Sequence, residues 1–464
     1  MAFPRCHFYP VNMKTKHLLF SALILVTGIS VVSAQESVTS QALTIDEAVR
    51  IAFDSNLSLR RNAIDLGTRK RAADHSWNSL LPTVSTSAIV SRPTSITGEI
   101  LPKQTMSPDG KPQDRDVWTP GFSLSAGLTL STTVIENIKK AQADYDAGLL
   151  SYEAARQELE LLVRKLFYQI LLLDANRELA AWNFQSAQAR YEQTAALTRM
   201  GQAPRLDELS ARVDMENLRP AMINAEILYE NALDSLKTVL GLPSEIAVKL
   251  DGDLAVMDDL AGGIPGNLSA VNTKTGTSVE VSRLLASIRS MEAQKNAVRN
   301  GAYIPSLRLS WSSTPLYNLQ NEYWNDSGSF SISLGMNIDN FLPWSGAKTQ
   351  IDAINDNIRA AEIQLTETLR DRENRVSQNK RTIERILESL EAMKLNVELA
   401  QSTYEMYEDA YRKGVADYQQ LRSAGDSLEQ AKNRLLSEQF NLISALLDLE
   451  KELNIPFGTL IRGE

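Results

Sequence analysis

The chain has 464 residues, of which 43% are hydrophobic and only 6% aromatic, and it carries a formal net charge of −9. An acidic chain without clustered basic residues offers little to a phosphate backbone, so no nucleic-acid partner is expected. One cysteine and three histidines in the whole sequence leave almost no material for thiol or zinc chemistry.

Lys14 and Lys16 precede an apolar run from Leu18 to Val32 that ends in small residues at Ala34. This order is that of a secretory signal, expected to be cut after Ala34, with Met13 as the working start. The run is short for a membrane span. Removing residues 1–34 leaves 45 basic and 57 acidic groups, a net charge of −12, and takes away the only cysteine. Cys6 lies before the apolar run, so it cannot be a lipid-modified cysteine following the cut. An exported, disulfide-free chain is expected.

Helical pattern then leads to "SLLPTVSTSAIV" at 79–90, where Pro82 ends the helix and a strand over about 83–91 begins. A polar loop, 91–117, precedes a second strand over about 118–130. In it Phe122, Leu124, Ala126, Leu128 and Leu130 alternate with Ser123, Ser125, Gly127 and Thr129. A helical run over 132–200 follows, about 100 Å long if continuous. Gly201 breaks it, and a shorter helix ends at "GLP", 241–243.

After residue 278 the same order returns. "AYIPSLRLSW" at 302–311 opens a third strand over about 305–312, and a loop at 312–329 leads to a fourth over about 329–338, "FSISLGMNI". The next helix carries an unbroken heptad seam of Ile383, Ile386, Leu390, Met393, Val397, Ala400, Tyr404, Tyr407 and Tyr411. The first copy has a looser seam through Leu159, Leu162, Leu166, Ile170 and Leu173. Gly201 to Pro243 and Gly414 to Pro456 are both 42 residues apart. A tandem duplication follows: a first repeat over 35–242 with its hairpin tip at 199–209, a linker at 243–278, and a second repeat over 279–464 with its tip at 411–421. "DGD" at 251–253 lacks the later ligands of a calcium loop and reads as a turn.

Four strands with one apolar face, small polar residues on the other, long loops and aromatic residues near their ends have the pattern of a transmembrane β-barrel. Phe122, Leu124, Leu128, Phe330, Ile332 and Leu334 are the expected lipid-facing residues. Four strands cannot close a barrel, and open edges are not tolerated in lipid, so several copies must pool their strands. Two copies give eight strands and a filled interior, whereas three give twelve and room for a lumen.

Over the mature chain the sequence resembles the TolC family of outer-membrane efflux proteins. The residues that carry the resemblance are the opening helices "LTIDEAVRIAFDSNLSLRRNAIDLGTRKRAADHSWNSLLPTVS", the "LPWSGAKTQI" passage at 342–351 and the paired glycine breaks at 201 and 414. The resemblance implies a mainly α-helical fold with a membrane β-barrel, long coiled-coil hairpins forming an α-barrel, and a homotrimer sharing one twelve-stranded barrel. It implies a passive exit duct in the outer membrane, its helical tunnel reaching into the periplasm. Its partners would be outer-membrane lipid, a periplasmic adaptor and an inner-membrane transporter; no cofactor or metal is implied.

The resemblance also implies a tip latch in which Asp207, six residues after Gly201, bonds Tyr411, three before Gly414. Arg205, Glu208, Asp417 and Gln420 complete the expected tip set. The family's arginine two residues after the second glycine and its aspartates six and nine after it are here Ala416, Gln420 and Ser423. With only Asp417 or Asp426 nearby to contribute charge, a polar constriction with weaker cation binding is expected. Plainer roles compete: seam packing for the tyrosines, and a favourable helix-dipole position for Asp207. A soluble periplasmic coiled-coil adaptor or scaffold is the alternative reading. Catalysis finds no candidate, since His75, the one histidine of the mature chain, has no partner signature.

Overall fold

A computed structural model of the protein describes residues 42–91, 104–106, 112–114, 118–252, 278–318 and 323–462. The expected signal segment, most of the linker and parts of the strand-joining loops lie outside the described residues. The chain opens with β1 (Ala42–Leu43), α1 (Ile45–Ser55), α2 (Leu57–Asp74) and a 3-10 turn at Ser76–Leu80. Then come β2 (Thr83–Ser91), β3 (Gln104–Met106), β4 (Pro112–Asp114), β5 (Thr119–Leu130), α3 (Thr132–Arg199), α4 (Arg205–Leu240) and β6 (Lys249–Leu250). The second half holds α5 (Val279–Tyr303), β7 (Ser306–Asn318), β8 (Tyr323–Gly335), a 3-10 turn at Ile338–Phe341, α6 (Gly346–Arg412), α7 (Tyr418–Leu453) and α8 (Thr459–Arg462).

Helices α3 and α4 have 68 and 36 residues, and α6 and α7 have 67 and 36. Each long helix therefore runs unbroken for about 100 Å. Their ends share one chemistry. At Gly201 (φ +72°) the amide of Gln202 donates to Leu197 O at 2.9 Å and that of Gly201 to Thr198 O at 3.0 Å. At Gly414 (φ +70°) Val415 donates to Ala410 O and Gly414 to Tyr411 O at 2.9 and 3.0 Å. Both are Schellman ends, which need a residue in the left-handed region and so select glycine. Ser345 and Ser278 cap the starts of α6 and α5, accepting from Lys348 N and Val281 N at 3.2 and 3.3 Å.

Two buried clusters flank α3. Val163, Phe167 and Ile170 join Ala48, Ala52, Leu236 and Leu240 of α1 and α4. Leu161 joins Ile383, Ile386, Leu442, Leu446 and Leu449 of α6 and α7. Residues two apart on a helix point about 200° away from each other, so Leu161 and Val163 serve opposite neighbours. Of the expected seam, Leu159, Leu166 and Ile170 lie in the first cluster, whereas Leu162 falls between the two packed faces and is exposed. The second seam holds: Ile383, Ile386, Leu390 and Tyr404 are buried on α6, facing Leu421, Leu428 and Leu442 on α7.

The main sheet has the order β2-β5-β7-β8, with every neighbouring pair antiparallel. Its third and fourth strands are longer than expected. Residues 312–318 and 323–329, expected as loop, continue the ladder in register out to Asn318 opposite Tyr323. Serine, threonine and asparagine read as loop by composition, but directly opposed backbone and hydroxyl partners keep them extended. Trp311, expected at a strand end, consequently sits in mid-strand opposite Ala126 and Phe330. The loop expected at 91–117 contains the short antiparallel pair β3–β4. Far from the sheet in sequence, β1 pairs in parallel with β6.

Candidate functional site

Alternation sorts the side chains of the four strands onto two unlike faces. Rows across the sheet join Val84, Ala126, Trp311 and Phe330, then Leu128, Leu309 and Ile332, then Leu130, Leu307 and Leu334. Phe122 and Leu124 extend the same face, so all six expected lipid-facing residues share it. Among the described residues nothing covers it: Phe330, Ile332 and Leu334 are 66%, 63% and 73% exposed. A soluble sheet would bury this face on the core. The other face is built from hydroxyls paired across strands: Ser85 with Ser125, Ser87 with Ser123 and Ser310 with Ser331, each at 2.7 Å, and Ser312 with Ser329 at 3.0 Å. By the same alternation Gly121 lies on this face, where it leaves room for the Leu316 side chain.

Aromatic side chains mark both ends of the sheet. At the loop end Tyr317 and Trp324 stand opposite each other with ring centroids 5.3 Å apart. At the helix end Trp77, Phe341 and Trp344 are exposed, and Tyr303 packs edge-on against Phe341 at 5.3 Å. Aromatic belts flanking an apolar band are the interfacial anchors of membrane barrels. The inner belt had no strand-end signal because it sits on the turns beyond the strands. Among the described residues, both outer strands, β2 and β8, have one edge without a partner.

The second candidate region lies at the far ends of the hairpins. Tyr411 does not meet Asp207. Its hydroxyl is 3.1 Å from Thr194 Oγ1, whose own proton goes to Arg190 O at 2.9 Å, so Tyr411 donates. Asp207 sits in the first turn of α4 beside Glu208, which pairs with the exposed Arg205 at 3.4 Å. Asp417 and Gln420 are engaged in a capping box at the start of α7, the amide of Gln420 donating to Asp417 Oδ1 at 2.8 Å. Gly201 and Gly414 form the two turns described above. Three apolar side chains at these turns, Met200, Leu206 and Val415, are among the most exposed on the chain at 62%, 71% and 82%.

At the start of α7, Tyr418 donates to Asp214 Oδ2 at 2.8 Å, and Arg422 pairs with Asp214 Oδ1 at 3.1 Å. Both carboxylate oxygens are thus engaged, linking α4 to α7. Tyr418 is 4% exposed. Burial first, and the carboxylate acceptor second, push its hydroxyl well above the usual tyrosine range, so it stays a donor. Arg190 donates to Tyr404 Oη at 3.1 Å, and the rings of Tyr411 and Tyr418 meet edge-on at 6.1 Å. Asp214 and Tyr418 each lie seven residues beyond Asp207 and Tyr411. Asp207 and Asp214 share one face of α4, but Tyr411 ends α6 and Tyr418 begins α7 across the Gly414 turn, so no helical period led from one tyrosine to the other.

Residues 48–242 match the sequence profile of the outer membrane efflux protein family. No curated protein matches the chain. Among solved structures the fold is shared with the outer-membrane protein VceC of Vibrio cholerae at 14% identity, covering 89% of this chain and 96% of that one, with a TM-score of 0.70. The open state of the MtrE outer-membrane channel of Neisseria gonorrhoeae matches at 18% identity, with 89% of each chain covered and a TM-score of 0.67. The CmeC outer-membrane channel of Campylobacter jejuni matches at 16% identity over 88% of this chain and 85% of that one, with a TM-score of 0.67.

Proposed function

We propose that this chain, whose residues 48–242 match the outer membrane efflux protein family, is the outer-membrane exit duct of a tripartite efflux pump or a related secretion system. The observation that carries the reading is the uncovered apolar face of the four-stranded sheet, backed by paired serines and open at both edges. Lipid meets the apolar face, water the serine face, and two further copies supply the missing strands of a closed barrel. The hairpins extend into the periplasm and enclose the path from the pump. The protein supplies a passage and takes its driving force from elsewhere.

The tip turns fit docking of a periplasmic adaptor, because Met200, Leu206 and Val415 present apolar side chains that the described residues leave uncovered. The inner-membrane transporter is reached through that adaptor. We assign the latch that holds the hairpins together to Asp214, Tyr418 and Arg422 rather than to Asp207 and Tyr411. Asp417 is engaged as a helix cap, and the exposed Asp426 lies 3.9 Å from Arg422, which already pairs with Asp214.

Planar-bilayer recording tests this reading. Wild-type protein should insert and conduct. Tyr418→Phe, which leaves a buried carboxylate one donor short at about 1–3 kcal/mol, should raise the unit conductance several-fold. Protein that is released without detergent and never inserts would contradict the duct and favour a soluble adaptor. Insertion with unchanged conductance in the variant would remove the latch assignment alone.

A further inference from the structure

On the serine face of the sheet, one described side chain is charged. Arg308 lies in the row formed by Thr129, Arg308 and Ser333, close to the helix end of the strands. The rows beyond it carry Gly127, Ser310 and Ser331, then Ser125, Ser312 and Ser329. Arg308 is exposed, and no carboxylate stands beside it in its own row or in these two. A guanidinium stays protonated at any working pH, so this charge is permanent.

We infer that Arg308 forms an anion-selecting ring where the strand barrel meets the helical tunnel. The inference rests on the exit-duct reading, since it needs the serine face to line water and three copies to close the wall. Twelve strands spaced about 4.8 Å apart and tilted about 40° give a wall roughly 12 Å from the axis. An inward arginine spans much of that distance. At 0.1 M salt the screening length is about 10 Å, so three guanidiniums reach the whole cross-section of the lumen; at 1 M it is about 3 Å and their influence shrinks to the wall. Rings of Arg or Lys select anions in other pores by the same electrostatics. Neutral serines and glycines around the ring offer hydrogen bonds to any solute and leave the sign of the charge to Arg308. The duct should therefore pass anionic and zwitterionic solutes more readily at this level than multivalent cations.

The test is the ion selectivity of the assembled, full-length protein in planar bilayers under a KCl gradient near 0.1 M. Arg308→Ser should lower the chloride-to-potassium permeability ratio several-fold, Arg308→Glu should lower it further, and Arg308→Lys should keep it near the wild-type value. Hexacyanoferrate added from the loop side should reduce the wild-type current and spare Arg308→Ser. Both differences should fade at 1 M KCl. Comparing variants with wild type cancels whatever the hairpin tips contribute. Channels of Arg308→Ser that conduct with unchanged selectivity and unchanged block would overturn the inference while leaving the duct intact. A wild-type protein that forms no channel at all would remove the duct reading and the ring with it.

Discussion

Glu450 is a carboxylate with no exposed surface, and its two oxygens accept the amides of Gly458 at 2.8 Å and Leu460 at 2.7 Å. It thereby fastens the start of α8 to α7. Burial raises its pKa above the usual carboxylate range, the two amides pull it back, Arg164 lowers it and Glu160 raises it. Because the folded value lies above the unfolded one, the folded state binds more protons between the two values. The contribution of Glu450 is therefore fully present below the ordinary carboxylate value near 4.3, declines as pH rises through the folded value, and is level above it. Taking the melting temperature of wild type minus that of Glu450→Gln removes the other carboxylates from the comparison. The difference should fall as pH rises from about 4 and then flatten; a difference that grows with pH would contradict this account. At this scale the sequence was partly legible. The turn glycines 201 and 414 are named by their composition, since only glycine takes a φ near +70° without strain. The Asp214–Tyr418 hydrogen bond had no such signal, because spacing from a glycine does not say which side chains of two different hairpins meet.

Among the elements, the long helices of the second half announced themselves most clearly. Their seam of threes and fours is buried from Ile383 to Leu390 and again from Leu421 to Leu453. Helix α3 was read less well: Leu159, Leu166 and Ile170 of its seam pack in one cluster, but Leu162 is exposed, because Leu161 and Val163 on either side of it face two different neighbours. Alternation located all four strands, but β7 and β8 run well past the expected limits, where serine and asparagine hid the pairing. The sheet makes a sharp prediction through its parity. Phe330→Arg places a charge on the uncovered face in mid-sheet and should cost about 2–4 kcal/mol in the membrane. Ser329→Arg lies on the same strand but on the other face, and should be tolerated apart from the lost bond to Ser312. The yield of folded protein in the outer-membrane fraction reads both. Equal yields, or a larger loss for Ser329→Arg, would show that the two faces have been assigned the wrong way round.

For the molecule as a whole, the paired helix lengths of 68 and 36 against 67 and 36 support a tandem duplication. So does the return of the same Schellman hydrogen bonds forty residues after each tip glycine, at Gly241 and at Asn454, the latter holding φ +55°. The duplication was readable from matched landmarks. The number of copies was not, since nothing in one chain counts its partners: the strands say only that four are too few and that eight would leave no lumen. The central claim is that this chain completes its membrane wall with two others. Native mass spectrometry of the protein extracted from outer membranes into detergent measures that number directly. A particle of three chains, dependent on detergent for solubility, is the expected result; a single chain that stays soluble and intact without detergent would contradict it.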